Sequence, residues 1–285
     1  MRDVTLRARM TDRFAATCAW GATALVALVF GALLLDVVRR GVGEISWSFL
    51  VEAPRDAGRA GGIAPILVST VLILLVCLAV VLPVGLGTAI LLAEQSARDQ
   101  RLGMLVRRSL DVLAGVPSIV FGLFGNAVFC VALGMGYSIL AGGLTLACMV
   151  LPIVIRSAEA ALRAVSDEPR QAAAALGLSR TTTTFRILVP VAMPGLMVGL
   201  VLGIGRAIAE TAALLFTAGS VDRMPGSLLD SGRSLTVHVY TLAMDVAGGE
   251  PRAYAAALVL VVLLIMINGA AALLATRMHR GGREA

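Results

Sequence analysis

The sequence of 285 residues contains no lysine, and only 15% of its residues are charged, whereas 58% are hydrophobic. Soluble domains carry about a quarter charged residues, so this composition excludes an ordinary soluble protein. The missing lysine also excludes a P-loop, because the pattern G-x-x-x-x-G-K-[ST] requires a lysine that holds phosphate. Neither His238 nor His279 lies near a credible serine nucleophile, so we expect no catalytic site in this chain.

Paired cysteine motifs are absent as well. The four cysteines show no C-x-x-C spacing and all fall within apolar runs: Cys18, Cys77, Cys130 and Cys148. Isolated cysteines in apolar surroundings behave as small buried hydrophobic residues. The two histidines have no metal-ligating partners at a regular spacing. We therefore expect no metal site and no cofactor bound by this chain.

Long apolar runs dominate what is present, and a run of about 20 such residues crosses the ~30 Å hydrocarbon core of a membrane. Six runs qualify, at Phe14–Val38, Ile63–Ala93, Val112–Leu133, Ser138–Ile155, Pro194–Ala218 and Ala253–Thr276. The first is too long for a signal-peptide core and is interpreted as an uncleaved first span. The sequence predicts an all-α polytopic membrane protein with six transmembrane helices.

Arginines are distributed unevenly between the two sides of these spans. The N-terminal tail, the segment after the second run, the segment after the fourth run and the C-terminal tail together contain sixteen arginines, against seven on the opposite side. Because arginine resists translocation, both termini are predicted to be cytoplasmic. The net charge of +6 follows from this bias. A nucleic-acid partner is not expected, because the sequence lacks the basic and aromatic interleaving of such surfaces.

This topology divides the chain into a cytoplasmic tail at 1–13, a transmembrane domain at 14–276 and a second tail at 277–285. A cytoplasmic region at 156–190 interrupts the transmembrane domain with a polar, alanine-rich stretch.

Short helices joined by breaks are predicted within this cytoplasmic region. Ser166 or Asp167 is placed to cap a helix start, and Pro169 suits the first turn of that helix. Gly177 is placed to end it in a left-handed conformation, and Ser179 to cap the next segment. Pro190 is expected to interrupt the backbone before the fifth span. The alternative is a plain surface loop, although such loops are rarely this long.

The same stretch resembles the EAA motif of ABC-importer permeases. That motif reads EAA, three residues, glycine, nine residues and I-x-L-P, and it is matched by Gln171, Ala172, Ala173, Gly177, Ile187 and Pro190. A literal EAA at Glu159–Ala161 fails this register, because Val165 stands where the glycine belongs. Gln171 therefore replaces the glutamate of the motif. The resemblance implies that this helix docks in a cleft of a separate ATPase and transmits its movement to the spans.

Two further segments are similar to phosphate-specific (Pst) permeases: AGVPSIVFGLFG at Ala114–Gly125 and GRAIAETAALLFTAG at Gly205–Gly219. The ending, with TVHVY at Thr236–Tyr240 and the apolar run at Tyr254–Asn268, resembles the PstA branch more than the PstC branch. The family usually has glycine where this chain has Ala209, and proline where it has Ala213. The resemblance implies the type I permease fold of ABC importers, in a bacterial plasma (inner) membrane.

The partners implied by the resemblance are a second permease subunit (PstC-like), two copies of an ATPase subunit (PstB-like) and an extracytoplasmic phosphate-binding protein (PstS-like), with membrane lipid around the spans. ATP is then used by the ATPase partner and not by this chain.

Arg206 and Glu210 are the opposite charges deep in a predicted span, where each charge costs about 2.5–3.5 kcal/mol. Their spacing of four residues places them on one helical face. Either they form a structural ion pair, or Arg206 lines a substrate path and meets phosphate while Glu210 holds it; the two roles are compatible. Ser118 and Thr211 are candidate polar groups on the same path.

Other residues of the third and fifth spans admit two interpretations. Pro117, Gly122 and Gly125 either break the helix around a cavity or permit close helix packing. Asn126 is a further candidate polar group, and Thr217 either faces the path or bonds back to its own helix.

The sequence thus predicts a permease subunit of an ATP-driven inorganic phosphate importer. One alternative is a permease for another oxyanion such as phosphonate, sulfate or molybdate. A more distant alternative is a passive anion channel or a membrane signalling protein.

Overall fold

The computed structural model describes residues 2–95 and 100–281. Long apolar segments form helices because only internal hydrogen bonds satisfy the backbone where water is excluded. The α-helices are α1 (Arg2–Gly41), α2 (Trp47–Val51), α3 (Ala64–Ile90), α4 (Gln100–Ala114), α5 (Ser118–Gly125), α6 (Ile139–Arg163), α7 (Glu168–Ala175), α8 (Arg180–Thr183), α9 (Val189–Ile208), α10 (Ala212–Leu215), α11 (Leu235–Met244) and α12 (Glu250–Gly281).

Other local structure is short. Two strands, β1 (Pro54–Arg55) and β2 (Ala60–Gly61), form an antiparallel hairpin, with Pro54 opposite Gly61. Turns of 3-10 helix lie at Val42–Glu44 and Asp56–Gly58. Wider π-helical turns follow α3 at Leu91–Gln95, α5 at Asn126–Ala132 and α8 at Thr184–Leu188.

Five helical segments of the described chain are long and apolar enough to cross a membrane: Ala15–Glu44, Ala64–Glu94, Ile139–Arg163, Arg180–Ile208 and Glu250–Ala270. A sixth is present only if a bent pair is taken as one span, Arg101–Ala114 with Ser118–Ala132, whose axes differ by 102°. The run predicted at Val112–Leu133 is therefore not one straight helix, but lies across the bend between α4 and α5. Pro117 disfavours helical backbone in the preceding residue, and the chain turns there.

The predicted fifth run, Pro194–Ala218, is not one helix either. Helix α9 ends at Ile208, and α10 begins at Ala212 after a short break. Pro194 lies inside α9 without ending it. The break places Glu210 beyond the helix, so the expectation that Arg206 and Glu210 share one helical face is corrected.

Helix α6 lies at the centre of the fold, between α3 and α9. Two-thirds of its apolar window is buried, 67% against 0% for α1. Glycine permits the close approach on both sides. A Cβ added to Gly143 would lie 2.5 Å from Val76 Cβ on α3, and one added to Gly199 of α9 would lie 2.5 Å from Ser157 Cβ. Close packing of small residues is how helices associate where lipid supplies no hydrophobic drive.

The first and last spans form the periphery. Helix α1 packs on α12 and exposes large apolar side chains, of which Trp20, Leu28 and Leu33 are examples. Helix α12 continues to Gly281, so the C-terminal tail expected at 277–285 begins as helix, and its residues 282–285 lie outside the described part.

Candidate functional site

Arg206 occupies the last turn of α9, just before the break. Its Nη2 lies 3.6 Å from Glu210 Oε2 and 3.9 Å from Met149 Sδ. The Arg206 side chain is nevertheless 47% exposed, whereas that of Glu210 is only 5% exposed. The guanidinium is thus held on one edge and open on the others, an arrangement suited to meeting a further anion.

Glu210 stabilises the break as well as the arginine. Its Oε1 accepts a hydrogen bond of 3.2 Å from the Ala213 N–H in the first turn of α10. Its carbonyl oxygen accepts one of 2.6 Å from Thr236 Oγ1. A carboxylate at a helix N-terminus satisfies an otherwise unpaired donor and interacts favourably with the helix dipole. The two oxygens of one buried carboxylate therefore serve two different partners.

The other two predicted path residues lie beside this break. Thr211 is the residue that precedes α10, and Ser118 is the first residue of α5; both are half-buried. Helices α5 and α10 touch, since a Cβ added to Gly122 would lie 2.9 Å from Ala213 Cα. Arg206 and Glu210 are thus in direct contact, while Ser118 and Thr211 have no hydrogen bond to either side chain among the described residues.

The other polar candidates, Thr217 and Asn126, donate hydrogen bonds to backbone carbonyls. Thr217 Oγ1 donates to the Ala213 carbonyl at 2.7 Å, so it bonds back to its own chain segment. Asn126 Nδ2 donates to the Phe216 carbonyl at 2.8 Å. A Cβ added to Gly125 would lie 2.1 Å from Thr145 Oγ1, which shows close packing against α6. These contacts hold α5, α10 and α6 together.

The alanine-rich helix predicted between the fourth and fifth runs is present. Helix α7 is followed by Gly177 at φ +69°. The Gly177 N–H donates to the Ala174 carbonyl, and the Leu178 N–H to the Ala173 carbonyl, each at 3.0 Å. This pair of bonds is the Schellman ending, which requires a left-handed residue after the helix.

The beginning of α7 differs from the expectation. Asp167 is the residue before the helix, but its side chain makes no capping bond; Pro169 does lie in the first turn. Within the helix, Gln171 and Ala172 are exposed, and Ala173 is buried.

Pro190 does not interrupt the backbone, which corrects the prediction for that residue. The helical chain is continuous over Arg180–Ile208, with Ser179 Oγ accepting the Thr182 N–H at 3.2 Å at its start. The π-helical turn at Thr184–Leu188, which contains Ile187, precedes the proline. A widened turn removes the clash between a proline ring and the carbonyl one turn earlier.

Glu159, which belongs to the EAA that fails the motif register, pairs with three arginines. Glu159 is buried, and its Oε1 lies 2.8 Å from Arg107 Nε and 3.0 Å from Arg163 Nε. Its Oε2 lies 3.7 Å from Arg156 Nη1. Arg107 and Arg163 also each donate from Nη2 to the Leu92 carbonyl at 3.0 Å. The spacing of Arg156, Glu159 and Arg163 at one helical turn was the available signal.

Arg170 links α7 to the end of α3. Its Nη2 lies 2.8 Å from Glu94 Oε1, in the π-helical turn after α3. The same guanidinium donates to the carbonyls of Leu162, Val165 and Ser166 at 2.8–3.1 Å. A cavity of about 410 Å³ lies alongside and is bounded by Glu94, Arg170 and α8. The Arg170 guanidinium is therefore hydrogen-bonded to the end of α6 and the turn after it, and the cavity lies on the α8 side.

A second charged cluster, partly buried, lies towards the opposite end of α3, around α11. Arg233 Nη1 lies 3.5 Å from Asp222 Oδ2 and 3.4 Å from His238 Nδ1. Because arginine only donates, His238 Nδ1 accepts and the ring is neutral. Burial, with the Arg233 charge beside it, lowers the pKa of His238 to about 3. Among the described residues, no three His, Cys, Asp or Glu side chains form a group suited to a metal ion.

The fold is similar to that of a chain from the methionine ABC transporter MetNI, solved in inward-facing conformations. The TM-score is 0.60 at 18% identity, with 76% of this chain and 94% of that chain covered.

Relatives in sequence cover almost the whole chain. The probable ABC transporter permease protein YqgI of Bacillus subtilis is 30% identical over 95% of this chain and 97% of its own length. The phosphate transport system permease protein PstA 1 of Mycobacterium tuberculosis is 35% identical, over 98% and 93%. PstA of Mycobacterium leprae is 36% identical, over 99% and 95%. Residues 85–280 match the family described as the binding-protein-dependent transport system inner membrane component. The chain belongs to this family of ABC transporter permeases.

Proposed function

We propose that this chain is the permease subunit of an ATP-driven inorganic phosphate importer. The observation that carries the proposal is Arg206, half-exposed at a helix break inside the bundle and held on one edge by the buried Glu210. Two mycobacterial relatives that are similar over nearly their whole length are named phosphate transport system permeases, which supports the substrate.

The chemistry of the break suits an oxyanion. A guanidinium presents a planar fork of donors that matches two phosphate oxygens. Glu210 reduces the net positive charge of the site, so the anion is held weakly enough to leave. The hydroxyl groups of Ser118 and Thr211, on neighbouring turns, supply neutral donors as phosphate passes.

The energy that drives transport through this site comes from another chain. ATP is hydrolysed by a separate ATPase, and this subunit binds no cofactor and catalyses no reaction. Helix α7, with Gln171 and Ala172 exposed, docks on the ATPase. Gly177 ends that helix, and Ile187 and Pro190 lie in the continuous helix that leads from it into α9. The Arg170–Glu94 pair carries the same movement to α3.

The assembly we propose contains a second permease of the PstC type, two PstB-like ATPases and a PstS-like phosphate-binding protein outside. The chain is embedded in the bacterial plasma (inner) membrane, with the tails at 1–13 and 277–285 and the region 156–190 in the cytoplasm. The domain 14–276 forms the path together with the second permease.

The first experiment isolates the chain from its native membrane in a mild detergent and identifies the co-purified proteins by mass spectrometry. We expect a P-loop ATPase, a second multi-span permease and a binding protein. Recovery of this chain alone, from a preparation that preserves other ABC complexes, would contradict the proposal and favour a channel or signalling protein.

The second experiment reconstitutes the complex in liposomes and measures ATPase activity with the binding protein and one oxyanion at a time. We expect stimulation by phosphate and not by phosphonate, sulfate or molybdate. Stimulation by one of those three alone would replace the proposed substrate, and phosphate uptake without ATP would replace the mechanism.

A further inference from the structure

The carbonyl of Glu210 is held by a residue from a distant part of the chain. Thr236 Oγ1 donates to it at 2.6 Å, across 26 positions of sequence. Thr236 and Glu210 are 7% and 4% exposed, so water does not replace this bond readily. A buried carbonyl without a donor costs free energy, and carbonyls that follow a helix end lack an intrahelical partner.

The direction of the hydrogen bonds is determined by the number of protons available. Thr236 has one hydroxyl proton, and a carbonyl can only accept, so that proton is used on Glu210. Ser234 Oγ lies 3.0 Å from Thr236 Oγ1 and must therefore be the donor between the two. Ser234 Oγ in turn accepts the Val237 N–H at 3.2 Å. The Thr236 hydroxyl is thus oriented from behind by the first turn of α11.

This turn of α11 is itself attached to α3. The Leu235 N–H donates to Thr70 Oγ1 at 2.9 Å, and Thr70 Oγ1 donates to the Ile66 carbonyl at 2.7 Å. Leu235 is fully buried. A chain of hydrogen bonds therefore anchors α11 to the wall of the bundle, and Thr236 extends from that anchor to the break that carries Glu210.

We propose that Thr236 is a positioning residue for Arg206 and acts through Glu210. By holding the Glu210 main chain, it sets where the carboxylate lies and hence the orientation of the guanidinium 3.6 Å away. This inference rests on the proposed function of Arg206 as the group that meets the anion. A group held by both main chain and side chain is pre-organised, and pre-organisation is what a second layer of contacts contributes to a binding site.

The test is the variant Thr236→Val, which removes the hydroxyl and keeps the branched shape, compared with Thr236→Ser, which keeps the hydroxyl. We expect Thr236→Val in the reconstituted complex to raise the KM for phosphate uptake about tenfold, the scale of one hydrogen bond, with a smaller change in maximal rate. Thr236→Ser should stay within about twofold of the wild type in KM.

Thr145→Val is the matched control. Thr145 is also buried, and its hydroxyl donates to the Ala141 carbonyl of its own helix at 2.8 Å. Thr145→Val removes the same hydroxyl group from similarly buried surroundings, but this hydroxyl has no hydrogen bond to Glu210. The KM of the Thr145→Val complex should therefore equal that of the wild type. An equal rise in KM for Thr145→Val and Thr236→Val would show a general packing effect and overturn the inference. If Thr236→Val fails to assemble, Thr236→Ala takes its place.

A double-variant comparison tests whether the effect passes through Glu210. In a Glu210→Gln background, adding Thr236→Val should change KM less than it does in the wild type. An undiminished effect would show that Thr236 acts independently and would overturn the inference. The comparison is made with whichever oxyanion drives ATP-dependent uptake. Failure of phosphate alone would therefore count against the proposed substrate and leave the result for Thr236 in force.

Discussion

Glu159 and Glu210 are the two buried acidic residues of the described chain, and each is paired with arginine. They differ in what surrounds the pair. The arginines around Glu159 also donate to backbone carbonyls, so their donors are used within the protein. Glu210 binds one arginine, Arg206, which has no hydrogen bond to a carbonyl among the described residues. Donors that are all used within the protein are typical of a structural clamp, whereas unused donors remain for a substrate.

Arg206→Ala should sharply reduce phosphate uptake, because it removes the donor fork at the break. Arg206→Lys should retain a small fraction of uptake, since lysine keeps the charge without the fork. The loss for Arg206→Ala should be about 100-fold, the scale of a hydrogen bond to a charged group. Uptake of radiolabelled phosphate by the assembled complex is the measurement. Normal uptake by assembled Arg206→Ala would make the arginine structural.

Glu159→Gln should destabilise the subunit by about 1–2 kcal/mol, because Arg107 and Arg163 lose their counter-charge. The cost is below that of a fully buried pair, since these arginines are 28% and 51% exposed and solvent screens them. The midpoint of thermal unfolding in detergent measures this. Glu168→Gln, at an exposed position of α7, is the control and should shift the midpoint far less. Equal shifts for the two variants would mean that the Glu159 cluster contributes no net stability.

Because His238 is buried and neutral, we expect the free energy of unfolding to fall at acid pH. The native pKa of His238, about 3, lies below the ordinary value of about 6.5. Between these two pH values the unfolded chain binds a proton at His238 and the native chain does not. The stability present above about pH 6.5 is therefore lost as pH falls towards about 3, and the loss between pH 7 and pH 5 is on the order of 2 kcal/mol. His238→Gln keeps an acceptor for Arg233 and should flatten this dependence. Parallel curves of unfolding midpoint against pH would contradict the assignment.

At the scale of elements, the breaks decide where the chemistry lies. Pro117 turns the chain between α4 and α5, the π-helical turn accommodates Pro190, and the gap after Ile208 exposes Arg206. Irregular backbone at membrane depth persists where protein side chains satisfy the freed groups. Glu210 and Thr236 do so at the last of these breaks.

Gly177→Val should uncouple α7 from the spans. Nothing lies within 4 Å of a Cβ added there, so the effect is not steric crowding but the cost of φ +69° for a β-branched residue, at least about 1–2 kcal/mol. We expect loss of phosphate-stimulated ATPase activity or of ATPase co-purification. Gly177→Asn is the control, because asparagine tolerates this conformation better. Retained coupling in Gly177→Val would contradict the role of the helix ending.

At the scale of the whole molecule, the two ends of α3 are connected to different machinery. The Glu94–Arg170 pair ties one end to α7, and Thr70 ties the other to α11, the anchor of Thr236. Helix α3 also packs along the length of α6. Helix α7 and the break at Arg206 are thus joined by contiguous contacts through α3 and α11.

Much of this was predictable because it depends on neighbours in sequence. The apolar runs, the left-handed Gly177 and the cap at Ser179 follow from rules that act over one helical turn. An ion pair between Arg206 and Glu210 was one of two interpretations that the sequence left open, and the helix on which both were expected to lie ends between them.

The features that the sequence did not predict depend on contacts between residues that are far apart in the chain. Glu159 meets Arg107 from 52 positions away, and Thr236 meets Glu210 from 26, so no local pattern marks either pair. The motif spacing selects Gln171 and excludes Glu159. Spacing describes one segment of the chain and carries no information about the other segments that pack on it.

The sequence by itself determined a lipid-embedded helical permease without an ATPase motif, because hydropathy, a missing lysine and a motif spacing are properties of the chain alone. The tertiary structure decided which charges are buried, where α9 stops and which hydroxyl holds the break. Those outcomes depend on the packing of α3, α6, α9 and α11. Burial makes a charge or a carbonyl costly, and only a partner brought there by the fold can offset that cost.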